Sequence, residues 1–322
     1  MVVGTQPPER GLFPLYPLPT SPKFRGGVFL NLRALQNPAI KGNKSVNLAQ
    51  FILLCSIIYI NRIPMSRIFI TGSADGLGQM AAQLLVKDGH QVVLHARNGA
   101  RGKQALAAVP GAETVVCGDL SSIAETKDVA AQINKLGDFG AVIHNAGIGY
   151  QEPGRGNTVD GLPLVFAVNS LAPYILTCLI KRPQRLIYIS SGLHRSGDPT
   201  LRDLTWNERR WSGYQAYSDS KLHDVIIAFA VARLWPGVYS NALEPGWVAT
   251  KMGGKGAPDS LADGPKTQIW LAVSDDAAAK VSGQYFYHLK QRDFLKAARD
   301  ADLQDKFITE CGRISGVGLP VE

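Results

Sequence analysis

Two rhythms of apolar positions alternate along residues 65–322. Short β-branched and aromatic runs at 67–71 (RIFIT), 91–96 (QVVLHA), 114–117, 141–144, 186–190 (LIYIS), 238–243 and 284–287 read as strands buried on both faces. Between them lie longer segments with helical spacing, such as 81–87 and 123–135. Strands separated by helix-length segments imply right-handed crossovers, so the pattern predicts an α/β fold: one doubly wound parallel sheet of about seven strands with helices on both faces. Ligands of such sheets bind beyond the carboxyl ends of the strands.

Residues 1–64 break this rhythm. Seven prolines between Pro7 and Pro38, the pair Gly26-Gly27 and a single acid, Glu9, give little that could pack into a core. The apolar run at 51–60 is ten residues long, half of the roughly 20 needed to cross a bilayer. The expectation for 1–64 is a poorly ordered extension. It is read either as a loose targeting or membrane-associating segment or as a stretch upstream of a native start at Met65. The chemistry then belongs to one domain, 65–322.

Charge adds one exclusion. The net charge of +8 is concentrated in residues 1–64, which carry +6, and the remaining residues carry only +2. The body is therefore near neutral, and nucleic-acid binding is not expected. Cys55, Cys117, Cys178 and Cys311 lie far apart, which fits a reducing compartment and gives no zinc-site spacing. The expected location is cytoplasmic, with membrane association or organelle targeting through 1–64 as the alternative.

Candidate chemistry falls at the strand ends. The first strand runs into TGSADGLG at 71–78, followed by a helical segment. Gly72 allows a tight turn, Gly76 a close approach of backbone to a pyrophosphate, and Gly78 a close packing of helix on sheet. This is a Rossmann-type turn with T-G-x-x-x-G-x-G spacing. Arg97 follows the second strand, where an acid would bind a free ribose hydroxyl and a cation a ribose phosphate, so NADP(H) is the expected cofactor. Asp119 and Leu120 follow the third strand. Asp119 reads either as a partner for an adenine amino group or as the N-cap of the next helix. Tyr217 and Lys221 are four apart on a predicted helix and share a face, so an ammonium lies beside a phenol and lowers its pKa. A phenol so placed can serve as acid and base. Tyr214 lacks a lysine at that spacing. Ser190 and Ser191 end the fifth strand and aim a hydroxyl at the same place.

Together these motifs resemble the short-chain dehydrogenase/reductase family. The match runs over residues 66–290 through TGSADGLG, Asp119-Leu120, HNAG at 144–147, Val168-Asn169, Ser190-Ser191, 217–221 and PGWVAT at 245–250. The resemblance implies a catalytic tetrad of Asn169, Ser191, Tyr217 and Lys221, with Asn169 holding a water that passes protons to Lys221 and Lys221 also binding the nicotinamide ribose. It further implies cofactor contacts from Gly72, Ser73, Asp75, Gly76, Leu77, Gly78, Arg97, Asp119 and Leu120. A floor of Asn145, Ala146 and Gly147 and a nicotinamide end built by Pro245, Gly246, Val248 and Thr250 complete the implied set, with no metal. The 26-residue step from Ser191 to Tyr217 is long for the family and, with VNSLAPYILT at 168–177, resembles the retinol dehydrogenase-like branch and its ketoreductases. His144 departs from the asparagine of many members.

The expected activity is interconversion of an alcohol and a carbonyl on an apolar small molecule. Trp206, Trp211, Tyr214 and Trp247 flank the expected mouth. A catalytically silent cofactor sensor would not need the tuned phenol, and a sugar-nucleotide epimerase would carry its glycines at another spacing. A homo-oligomer is left open.

Overall fold

The computed structural model describes residues 65–151, 154–254 and 256–321, so the expectations for residues 1–64 lie outside the described residues. Eight strands form one sheet: β1 (Arg67–Ile70), β2 (Gln91–Ala96), β3 (Thr114–Cys117), β4 (Ala141–His144), β5 (Arg185–Ile189), β6 (Tyr239–Glu244), β7 (Tyr285–Tyr287) and β8 (Lys290–Gln291). Their order is β3-β2-β1-β4-β5-β6-β7-β8. All neighbours pair parallel except β7 with β8. The chain winds outward from β1 to β3 and then returns to place β4 beside β1, which opens a crevice at their carboxyl ends.

Alternation along the strands explains why both faces are covered. Phe69, Val93, Val142 and Leu186 point into one apolar layer. Their neighbours Ile68, Ile70, Val92, Leu94, Ile143 and Ile187 point into the other. A strand that buries both faces reads as a continuous apolar run. The second layer is closed by α1 (Gly76–Lys87), α2 (Gly99–Ala108) and α6 (Lys266–Val273). The first is closed by α3 (Ile123–Leu136), α4 (164–179), α5 (Gly213–Leu234) and α7 (Ala301–Ser315). Helix α4 has three consecutive parts, Leu164–Phe166, the wider π turn Ala167–Leu171 and Ala172–Leu179.

Strand boundaries lie within one residue of those expected at all seven positions. The eighth strand is the difference. His288 and Leu289 adopt positive φ of 47° and 64°, which turns the chain tightly from β7 into a two-residue, exposed β8. Such a short polar edge has no periodicity to read. The cap of α3 is Ser122, whose Oγ accepts the Glu125 N–H, and not Asp119.

Candidate active site

A cavity of about 530 Å³ opens at the carboxyl ends of the central strands, bounded by the turn after β1, the ends of β2 and β4, and helix α5. Its first wall is the glycine turn. Gly72 has φ of +63°, and a Cβ there would stand 2.8 Å from Ala146 Cα. The turn can press against the end of β4 only because position 72 has no side chain. Thr71 Oγ1 accepts the N–H groups of Asn145 and Ala146, each at 2.9 Å, and Asn145 Nδ2 donates to the carbonyls of Thr71 at 2.9 Å and Gly72 at 3.2 Å. A side chain at Gly78 would collide with that same amide. Asn145 therefore fastens the β1 turn to the end of β4.

Asp75 sits at the N-cap of α1 without a side-chain capping bond, so the first-turn N–H groups are left for another acceptor at the cavity. That free N-terminus, with the glycine cradle, fits a dinucleotide pyrophosphate. Asp75, Gly76 and Leu77 line the cavity, whereas Ser73 turns inward. The Ser73 Oγ donates to Ile70 O at 2.9 Å and accepts the His95 N–H at 2.9 Å. Its side chain supports the turn rather than facing the cavity.

His95 belongs to the site although no motif announces it. Its Nδ1 accepts the Gly72 N–H at 3.0 Å, which places the proton on Nε2, 3.0 Å from Gly118 O. Burial pushes the ring down to about 4, against the opposing pull of that carbonyl and Asp119. A neutral ring thus joins the turns after β1 and β3. The only trace in the sequence is a polar residue inside an apolar strand.

Beyond the end of β2 Arg97 is exposed, lines the cavity and has no ion-pair partner among the described residues. Arg101 lies one helical turn on, because Asn98 caps α2 and folds it back. Its guanidinium reaches Asp75 Oδ2 at 2.7 Å, and Lys251 Nζ reaches the same oxygen at 3.0 Å. Partial burial raises the Asp75 carboxyl, but Lys251 and Arg101 together outweigh this and hold it below the usual range. Asp119 and Leu120 also line the cavity, with Asp119 Oδ1 accepting the Ser121 N–H at 2.9 Å.

Tyr217 and Lys221 project from α5 into the other end of the cavity. Lys221 is buried, with Nζ donating to Ile189 O at 2.8 Å and to Asp224 Oδ2 at 2.9 Å. Its Nζ stands 5.7 Å from the centre of the Tyr217 ring. Burial lowers the Lys221 pKa, but Asp224 and then Tyr217 more than reverse this, and the net direction is upward. The Tyr217 hydroxyl faces Met252 Sδ at 3.9 Å, and its ring meets Tyr150 edge-on at 5.7 Å.

Asn169 lies in the π turn of α4 and is almost wholly buried. Its Nδ2 donates to Ile148 O at 3.0 Å and Ser220 Oγ at 3.1 Å, and its Oδ1 accepts the Ile148 N–H at 2.9 Å. The side chain thereby ties the segment after β4 to α5. Gly147 in that segment passes close to Lys221: a Cβ there would lie 3.6 Å from its Nζ. Of the serine pair, Ser190 lines the cavity and donates to Lys221 O at 2.7 Å. Ser191 is half-buried and caps the turn Gly192–Ser196 by accepting the Leu193 N–H at 3.3 Å. The described residues show no hydrogen bond between Ser191 and Tyr217.

Pro245 and Thr250 reach the cavity, while Gly246 and Val248 shape the loop that carries them. Gly246 has φ of +91°, and its missing Cβ leaves room for the Asp259 carboxylate, which accepts the Trp247 N–H at 2.5 Å. Among the described residues no cluster of His, Cys, Asp or Glu could hold a metal ion, and no helix is long and apolar enough to cross a membrane.

Comparison with known proteins agrees with this geometry. Residues 66–192 match the model of the short chain dehydrogenase family. A short-chain dehydrogenase of Penicillium rubens, chyC, is 43% identical over 80% of this chain and 100% of its own length. Retinol dehydrogenase 13 of Homo sapiens is 29% identical over 80% of this chain and 87% of its own. Among solved structures, an uncharacterized protein from Mycobacterium paratuberculosis superposes with a TM-score of 0.69 at 25% identity, over 80% of this chain and 95% of its own. The chain belongs to the short-chain dehydrogenase family of oxidoreductases and is similar to its retinol dehydrogenase-like branch.

Proposed function

We propose that this chain is an NADP(H)-dependent oxidoreductase that interconverts an alcohol and a carbonyl on an apolar small molecule, with Tyr217 as acid and base. The observation that carries the reading is the single cavity that joins the glycine cradle to Tyr217 and Lys221. The uncapped start of α1 and the turn at Gly72 and Gly76 would hold the pyrophosphate, Arg97 and Arg101 the ribose phosphate, and Lys221 the nicotinamide ribose. When bound, the nicotinamide supplies or accepts the hydride. Tyr217 gives its phenolic proton to the carbonyl oxygen in reduction and takes the hydroxyl proton in oxidation. Lys221, held cationic in a buried place, favours the phenolate by its charge.

Arg97 and Arg101 favour NADP(H) over NAD(H), since no acid follows β2 to receive a free ribose hydroxyl. Tyr150, Tyr214, Trp247 and Met252 are exposed side chains around the catalytic end. An apolar rim of this kind accepts an apolar substrate. Entry of the substrate oxygen to the phenol displaces Met252, whose sulfur now covers the hydroxyl.

Tyr217→Phe tests the reading, because it removes the titrating proton and keeps the packing of the ring. Turnover should fall by roughly 100-fold to 10,000-fold while NADPH binding and fold are retained. A variant that binds NADPH and turns over within a few-fold of the parent would refute the assignment.

A further inference from the structure

The catalytic face of α5 continues past the lysine. Positions 217, 221 and 224 follow the spacing i, i+4, i+7 and form one stripe. The Lys221 ammonium therefore sits between the phenol of Tyr217, one turn before it, and the carboxylate of Asp224, one turn after it, at 2.9 Å. Both members of this ion pair are buried. An acid this deep in the molecule is costly unless it is matched, and here its ion-pair partner is the Lys221 ammonium.

We propose that Asp224 is a positioning residue for proton transfer at Tyr217: it anchors the Lys221 ammonium and, by its own charge, limits how strongly the lysine favours the phenolate. The inference rests on the reading of Tyr217 as the acid and base. The other titratable groups facing the pair are neutral. Tyr188 of β5 is pushed up, chiefly by burial. Behind it His144 of β4, stacked on Tyr188 at 4.7 Å, is pushed down by burial to about 3. Cys178 of α4 is pushed up by burial to about 12. Ser190 and the Ile189 carbonyl complete the surroundings without charge. Burial also raises the Asp224 carboxyl, against the pull of Lys221, to about 6. Its charge is thus present at neutral pH and lost in mild acid.

Asp224→Asn keeps the shape and an acceptor for the ammonium but removes the opposing charge. The field of Lys221 at the phenol then rises. The Tyr217 ionisation midpoint should fall by roughly one pH unit relative to the parent, the size expected of a nearby charge. Tyrosinate absorbance of the protein without cofactor reads this midpoint directly, with Tyr217→Phe subtracted. The alkaline activation of alcohol oxidation should move in the same direction. Asp224→Ser should shift both in parallel. An unchanged or raised midpoint in a folded variant overturns the proposal, and so does failure of both variants to fold, since the carboxylate would then serve the fold alone. A Tyr217→Phe enzyme that stays active would instead refute the acid/base reading, which keeps the two failures apart.

Discussion

Arg97 and Arg101 stand one helical turn apart at the end of the cavity beyond β2, yet they are differently engaged. Arg97 is unpaired among the described residues, while Arg101 shares Asp75 with Lys251. A guanidinium can meet a phosphate through paired charge-assisted hydrogen bonds, each worth about 1.5–3 kcal/mol. Arg97→Ala should therefore raise the KM for NADPH about 10-fold to 100-fold and leave that for NADH within about two-fold. Steady-state kinetics with both nucleotides checks this, and equal effects would show that Arg97 does not read the phosphate. The meeting of Arg97, Gly72, Gly76, Tyr217 and Lys221 at one cavity was legible because it depends on spacing along the chain and on strand ends. Lys251 and Met252 were not, since 176 and 35 residues separate them from Asp75 and Tyr217, the partners that give them meaning. Asp224 had a readable signal, an acid on the Tyr217–Lys221 stripe of an apolar helix, that the motif itself does not use. Ser73 shows the converse. It belongs to the glycine motif, but its hydroxyl is spent between β1 and β2.

Helix α5 is buried without interruption from 216 to 231, which a helix on the outside of a sheet achieves only if another element covers its outer side. Helix α7 does so. Phe307, fully buried, stacks on His223 of α5 at 4.5 Å, Arg233 Nε donates to Gln304 Oε1 at 2.9 Å, and Tyr174 of α4 donates to Val317 O at 2.8 Å. The C-terminal helix thus holds the element that carries Tyr217, Lys221 and Asp224. Phe307→Ala should cost about 3–5 kcal/mol through lost burial and a cavity, as large aromatic truncations do. Its denaturation midpoint should drop accordingly, with the KM for NADPH little changed because the cavity is lined from other elements. A loss below about 1 kcal/mol would mean that α7 is not integral to the core. The helices and parallel strands follow from apolar periodicity, but the π turn in α4 does not. Its wider turn at Ala167–Leu171 is visible only where Asn169 must meet Ile148 and Ser220 together.

Across the whole molecule five imidazoles are buried, and besides His90, which burial also pushes down, four are held neutral well into acid. Burial is the largest cause in each: His95 and His194 are pushed down to about 4, and His144 and His223 to about 3. The unfolded chain would protonate all four near pH 6.5. Between that pH and the folded values the unfolded state binds more protons, so stability is fully present above about pH 6.5 and is lost as the pH falls. Asp224 acts in the opposite sense. With a folded pKa raised to about 6 it binds a proton before its unfolded counterpart does, which offsets one of the four. The net difference approaches three protons between about pH 6 and pH 4, a limiting slope of ~4 kcal/mol per pH unit. Globular proteins of this size have about 5–15 kcal/mol in hand, so unfolding at ambient temperature is expected by about pH 4–5. The melting temperature should be nearly level from pH 7 to 8 and fall steeply below about pH 6. His223→Gln should flatten the acid slope by about one proton, because a neutral amide in place of the ring has nothing to protonate in either state. Melting curves of the parent and this variant across that pH range provide the measurement, and an acid slope unchanged in His223→Gln would show that His223 is not among the groups that drive the transition.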